Sequence, residues 1–336
     1  MIWTEVRPWG NTGHTWGAVA LSMNGQIQVA TIIGGNAGLY LSTDGGANWT
    51  QSFEASVFST ASMSDDGQTI FLGSFYGYGL ITRDCGANWD VGPSGQYFAS
   101  DMTPDGKTIV AVMSDGLYRS DDYGVSFAML PAIPEIDPSK NLHGGHSVSI
   151  SSDGNKIFLL SSTLFLSVDG GDTWTEQAAS VSAPNWYASA MSKDGTEMIA
   201  GGHINGTDGG RLYLYKSGTW AEVQPMDANR HDWNAVALSD AGNVVFAGMS
   251  QLEDGSIVNT LWSSIDYGAT WNGEKVWPYP YVNPEPTWNA ITCRATTRIL
   301  AGSNGKRLWL SATLPLPPVI HSFPWLGKFQ LSHVTA

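Results

Sequence analysis

The chain has 336 residues, 30 acidic against 16 basic for a net charge of −14, and only 14% of its residues are charged, against about 25% in an average soluble domain. With 42% hydrophobic residues and 15 Trp, the composition excludes a disordered chain and a long-helix protein, both of which are built from other residues. The acidity and the lack of any Lys/Arg run exclude a nucleic-acid partner, and no apolar stretch approaches the roughly 18 residues of a membrane helix.

No basic-then-apolar leader opens the sequence. The expectation is a soluble protein of unassigned compartment, extracellular if a leader has been removed. Cys85 and Cys293 form neither a disulfide framework nor a metal motif. Length alone would suggest about two domains, but an internal repeat overrides that prior.

Taken in chain order, the predicted elements follow one pattern. Trp3-Thr4-Glu5-Val6 reads as a short strand. The first full unit starts at Trp16, runs through the apolar stretch Ala18-Val19-Ala20-Leu21 to a turn at Asn24-Gly25, and ends on Leu39-Tyr40-Leu41-Ser42, Asp44, Gly46 and Trp49. Later units end at Trp89, Phe127, Trp174, Trp220 and Trp271, spaced 40, 38, 47, 46 and 51 residues apart. Each offers four short β-like runs separated by Gly, Asp and Asn turns, the pattern of a β-propeller blade. A seventh unit, Trp288 to Ser311, lacks its last strand. Trp3-Thr4-Glu5-Val6 matches the fourth strands Trp174-Thr175-Glu176 and Trp220-Ala221-Glu222-Val223 and would supply it, removing an open sheet edge. The expected fold is an all-β, seven-bladed β-propeller of four-stranded antiparallel blades over 1–314, with 1–7 closing blade 7. A Pro-rich extended tail is expected over 315–336.

Ser42-Thr43-Asp44-Gly45-Gly46-Ala47-Asn48-Trp49 resembles the Asp-box, or BNR repeat, of sialidases, sortilin-type receptors, xyloglucanase-type glycosidases and photosystem-assembly propellers. Thr82 to Trp89, Ser120 to Phe127, Ser167 to Trp174 and Ser264 to Trp271 repeat it, while unit five keeps only Ser217-Gly218-Thr219-Trp220. The box is a turn device: its Asp bonds turn amides, its Gly takes positive φ and its Trp packs between sheets. Asp44, Asp84, Asp122, Asp169 and Asp266 are therefore expected to be structural. A sialidase proper is disfavoured, because no Arg-Ile-Pro motif stands near the start and that family has six blades.

In a four-stranded meander, the boxes share a rim with the first-to-second turns, such as Asp66-Gly67 and Asp105-Gly106. The opposite rim, here called the upper face, carries loops that differ from unit to unit, which is where binding usually sits. His14, His143, His146, His203 and His231 fall on it. Three of these, His14, His143 and His231, each lie eight residues before the turn serines Ser22, Ser151 and Ser239. Arg7, Arg211, Arg230 and Arg307, the aromatics Trp9, Tyr76, Tyr78, Tyr187, Trp277, Tyr279 and Tyr281, and the acids Asp208, Asp232, Glu253 and Asp254 also map there. Trp16, Phe58, Tyr97, Trp186, Trp233 and Trp288 occupy one repeated position and are expected to pack between blades. The equivalent histidines could bond loop carbonyls, act on a substrate, or share a metal ion, though no cofactor is required. The arginines could pair with Asp208, Asp227 or Asp232 or bind an anion. Asn205-Gly206-Thr207 is a glycosylation sequon that matters only in a secreted protein.

Three function classes fit this inventory. The first is binding of a saccharide, in particular an acidic one, by aromatic stacking and arginine forks. The second is an enzyme on such a polymer. There a polysaccharide lyase using His143, His231, Tyr187 and Arg230 fits better than a two-carboxylate glycosidase drawing on Asp208, Asp232 or Glu253. The third is a non-enzymatic assembly factor.

Overall fold

The computed structural model describes residues 3–6, 8, 14–33, 37–54, 57–130, 147–161, 163–177, 186–202, 204–205, 208–225, 231–249, 261–274, 288–294, 298–303 and 308–311. The repeat units fold as four-stranded antiparallel meanders. Blade 1 comprises Thr15–Leu21, Gln28–Ile33, Gly38–Ser42 and Thr50–Glu54, each strand paired with the next. Six blades are continuous stretches of chain. The remaining sheet is composite: Trp288–Arg294, Arg298–Ser303 and Leu308–Ser311 are joined by Trp3–Val6, with Trp3 opposite Ser311 and Val6 opposite Leu308. Counting only the continuous sheets gives six; the hydrogen-bonded N-terminal strand completes another, so the ring holds seven four-stranded sheets. The innermost strand of each blade packs beside that of the next, and that of blade 7 packs beside that of blade 1.

Blade 5 departs from the simple meander. Between its second and third strands, Met198–Gly202 and Leu212–Lys216, the chain makes a separate two-stranded hairpin of Ile204–Asn205 and Asp208–Gly209. The proposed tail over 315–336 lies outside the described residues.

The apolar cores sit between adjacent sheets rather than inside any one of them. One cluster joins Phe71 and Ile81 of blade 2 to Tyr97, Met102, Ile109 and Met113 of blade 3. The repeated aromatics Trp16, Phe58, Tyr97, Trp186, Trp233 and Trp288 are all at most 5% exposed. They approach so closely because the second strand of the preceding blade has glycine opposite. A Cβ added to Gly73, Gly201 or Gly248 would stand 2.5–2.7 Å from the Cβ of Tyr97, Trp233 or Trp288. The closing strand is held from the side as well: the Trp3 indole donates to Glu274 of blade 6 at 3.1 Å and meets Phe246 edge-on.

Each complete box is a hydrogen-bonded turn. The Ser or Thr hydroxyl donates to the Asp carboxylate at 2.7–2.9 Å, and the Asp accepts the amide of the residue four positions on. The two residues after the Asp have positive φ in every box, including the non-glycines Cys85, Tyr123 and Tyr267 at 56–60°. Ser217 and Gly218 keep the same two conformations in blade 5, where the Asp is missing. Box amides of Gly45, Cys85, Tyr123, Gly170 and Tyr267 donate to carbonyls of the first-to-second turns. The boxes and those turns therefore form one rim, and the scaffold face is the lower one.

Candidate functional site

Charged side chains from five blades gather at the lower end of the central channel. All innermost strands are edge strands toward the axis, so their unpaired backbone groups and short side chains line it. Six residues after the repeated aromatic, most blades place a small hydroxyl: Ser22, Ser64, Thr103, Ser192 and Ser239. Blade 7 places Arg294 there. Its guanidinium donates to the Met63 carbonyl at 2.6 Å and pairs with Asp65 at 3.3 Å and Asp240 at 3.7 Å. On the other side Lys193 pairs with Asp101 at 3.2 Å and donates to the Met102 carbonyl at 3.0 Å. Asp101 also accepts the Ile150 amide at 2.9 Å.

Burial pushes Asp65 above the usual carboxylate range while Arg294 pulls the other way, and burial lowers the Lys193 ammonium. Backbone bonds run around the same level, from Met23 to Asp65, Asp65 to Pro104, Ser152 to Lys193 and Lys193 to Asp240, at 2.6–2.9 Å. Above this floor lies a cavity of about 200 Å³ to which all seven innermost strands contribute.

The upper end is different. In blades 1, 2, 3, 5, 6 and 7 the innermost strand carries a β-bulge directly after its buried aromatic. Bulges bend a strand at a barrel rim and re-aim side chains. In blades 2, 3, 5 and 6 the bulged residues are Ser59, Phe98, Tyr187 and Asn234, all half-buried. Phe98 packs edge-on against Phe75 at 6.0 Å, and Phe75 packs against Tyr76 at 5.5 Å. Tyr76 is 75% exposed on the second-to-third loop of blade 2. Its backbone amide is tied to the Ser74 hydroxyl at 3.1 Å, so the loop presents an aromatic face on a fixed base.

The other sequence-derived candidates divide sharply. His231 is 5% exposed, its amide donates to the Gly210 carbonyl at 2.8 Å, and its ring stands edge-on to Trp233. It belongs to the wall of blade 6. His14 is half-buried at the start of blade 1, and burial lowers its pKa. Asp232 is half-buried beside His231. Asp227 and the side chain of Asp208 lie outside the described residues, and Arg211 pairs with Glu222 on the outermost strand of blade 5. That ion pair was hidden from the sequence because register, not spacing, brings Tyr213 opposite Glu222 and Arg211 within reach. Asp208 is placed in the blade 5 hairpin.

Arg7, Arg230, Arg307, His143, His146, His203, Trp9, Trp277, Tyr279, Tyr281, Glu253 and Asp254 lie outside the described residues. Among the described residues, no group of three or more His, Cys, Asp or Glu side chains could hold a metal ion. No described helix is long and apolar enough to cross a membrane.

Sequence reasoning missed Phe75 and Phe98, and it missed the floor altogether. A signal for part of the floor was present: Arg294 stands at the strand-end position that five other units fill with Ser or Thr.

No family model matches the chain, and no curated protein sequence matches it. Solved structures do. YCF48 from Cyanidioschyzon merolae superposes with a TM-score of 0.68 at 19% identity, over 93% of this chain and 99% of that one. A YCF48 bound to D1 peptide gives 0.65 at 17%, over 93% and 96%. The GH74 xyloglucanase from Xanthomonas campestris gives 0.70 at 18%, over 94% of this chain and 54% of that one, so the chain spans about half of the enzyme's length. What these likenesses share with the chain is the fold: it is a β-propeller of four-stranded antiparallel blades, similar in architecture to YCF48 and to the GH74 xyloglucanase.

Proposed function

We propose that this protein is a saccharide-binding propeller that takes its ligand on the upper face. The observation that carries the reading is Tyr76, 75% exposed and backed edge-on by Phe75, which rests in turn on Phe98. A flat ring held on a rigid frame offers a stacking surface for a sugar without the entropy cost of ordering a mobile one. Hydroxyl and amide groups at the bulges, Tyr187 and Asn234, stand at the same rim and supply polar partners, while the Ser59 hydroxyl donates to the Tyr97 and Gly73 carbonyls. Preference for an acidic saccharide would fall to Arg7, Arg230 and Arg307, since Arg211 is engaged by Glu222.

A glycan array with the whole chain, followed by titration of the best ligand against wild type and Tyr76→Ala, tests this. Loss of one stacking face should weaken binding about tenfold. Equal affinity in the variant would refute the site, and a silent array would refute the class. A panel of uronate polysaccharides run alongside separates binding from lyase chemistry, which would release unsaturated products.

A second reading, assembly on a protein partner, is favoured by the match to YCF48 over nearly all of both chains, one of those structures holding a peptide. It predicts capture of an extended peptide by the same face, unaffected by competing saccharide.

A further inference from the structure

We propose that the lower rim between blades 2 and 3 docks a basic protein segment, with a Lys or Arg side chain laid over the exposed ring of Tyr123 and an apolar side chain against Val125. This surface is at the opposite end of the ring from Tyr76 and is independent of the saccharide reading. Residues 57–130, which form it, are all described.

Exposed apolar side chains gather on the lower rim: Met23, Tyr123, Val125, Val168 and Tyr267 all belong to boxes or first-to-second turns. Two of them flank one glycine. Tyr123, 42% exposed, and Val125, 73% exposed, stand on either side of Gly124. An added Cβ at Gly124 would lie 2.2 Å from Ile81 Cδ1. The box of blade 3 is thus pressed onto the third strand of blade 2, with both flanking side chains left open to solvent. Tyr123 takes a φ of 60° where the boxes of blades 1 and 4 use Gly45 and Gly170. Left-handed backbone favours glycine, so this ring is held against local preference.

Blade 6 shows what such a ring does when a cation is in reach. Tyr267 has the same conformation, with a φ of 59°, and an added Cβ at Gly268 beside it would meet Leu214 of blade 5 at the same 2.2 Å. Two residues beyond Leu214, Lys216 places its ammonium 4.3 Å from the centroid of the Tyr267 ring. Two residues beyond Ile81 the equivalent cation is Arg83, and its guanidinium is engaged elsewhere. Its Nε donates to the Tyr123 carbonyl at 2.8 Å, and its Nη1 pairs with Asp90 at 2.5 Å. Among the described residues no cation covers the Tyr123 ring. A cationic side chain from a partner fits the place that Lys216 fills at blade 6.

Carboxylates decide the sign of the partner. The Asn88 amide and side chain hold Asp84 at about 2, and the Ser126 hydroxyl and amide hold Asp122 at about 2, so both stay ionised beside this turn. Their bonds come from neutral hydroxyls and amides, while Arg83 and Arg119 are engaged by Asp90 and Asp121. An acidic segment would be repelled here, and a basic one is drawn to the ring.

The test is an array of short synthetic peptides probed with the whole chain. Their central residue is Lys, Arg, Glu or Ser, and its neighbours are Val, Leu or Ser. The tightest is then titrated in solution. Binding should require a central Lys or Arg with an apolar neighbour, and should weaken about fivefold in Tyr123→Gly. The acidity of the chain attracts any basic peptide, so the discriminating readout is this variant, which leaves the charge unchanged. It should melt no lower than wild type, because glycine takes this φ without strain. Acetylating the peptide lysine should abolish the difference between wild type and variant, which ties the loss to a cation on the ring. A preference for acidic or uncharged peptides, equal affinity in Tyr123→Gly, or no binding of any basic peptide would overturn the proposal. So would a loss in Tyr76→Ala in place of Tyr123→Gly, which would put the peptide on the upper face.

Discussion

Replacing Arg294 with Met removes a guanidinium that ties blade 7 to blades 2 and 6 while keeping most of its stem. The side chain is 8% exposed, bonds the Met63 carbonyl at 2.6 Å and pairs with Asp65 and Asp240 at 3.3 and 3.7 Å. A charge-assisted hydrogen bond of this kind contributes about 1.5–3 kcal/mol, and stranding a fully buried partner costs about 3–5 kcal/mol. The carboxylate side chains keep 32% and 23% exposure. Water screens part of the loss, which places the expected destabilisation near the lower end, at about 3 kcal/mol. In a large domain that corresponds to a fall in Tm of about 6 °C, readable by circular dichroism or calorimetry at neutral pH.

The sign of the pH dependence gives a second readout. Burial holds Asp65 above its ordinary value and Arg294 opposes this, so the variant raises Asp65 further. A carboxyl with a raised folded pKa binds its proton more tightly in the native state, and its contribution to stability falls as pH rises through that window. The deficit of Arg294→Met is therefore largest at neutral pH and shrinks as acid protonates Asp65. A shift below about 1 °C, or a deficit that does not narrow on acidification, would refute the reasoning.

Two further outcomes follow from the repeat. Gly248→Ala would place a Cβ 2.7 Å from the Cβ of Trp288, and overpacking of this kind costs about 1–3 kcal/mol. Denaturant unfolding should show it, whereas Gly218→Ala, with nothing within 4 Å but a φ of +87°, tests backbone strain alone. The Asn88 amide and then its side chain pull Asp84 from 3.8 to about 2. The side chains of Ser126 and Thr173 lead the same effect at Asp122 and Asp169, also to about 2. A depressed folded pKa gives stability that is present above the unfolded value and lost as pH falls through the folded one. Asp84→Ala should thus melt below wild type at neutral pH, with the difference closing between pH 3.8 and about 2. A difference that persists at lower pH would place the variant's effect in packing, not in the carboxylate.

The local grammar of this protein is written in its sequence. Apolar runs, Asp-Gly turns and the box residues recur at intervals close to one blade, and each is a short-range device: a hydroxyl two residues from its carboxylate, a backbone amide four residues on, two positive-φ positions in a row. Trp3-Thr4-Glu5-Val6 could be recognised as a displaced fourth strand because it matched other fourth strands. The burial of Trp16, Phe58, Tyr97, Trp186, Trp233 and Trp288 was legible for the same reason.

The channel floor and the aromatic face were decided only by tertiary structure. Arg294 meets Asp65 across 229 positions of chain and Lys193 meets Asp101 across 92, because ring closure brings the ends of separate strands to one axis. Phe98 reaches the upper rim through a bulge that no spacing rule announces, and Arg211 finds Glu222 through strand register. Spacing along the chain determines what a turn or a strand can be; which charged groups share a buried space depends on distances that exist only once the ring has closed.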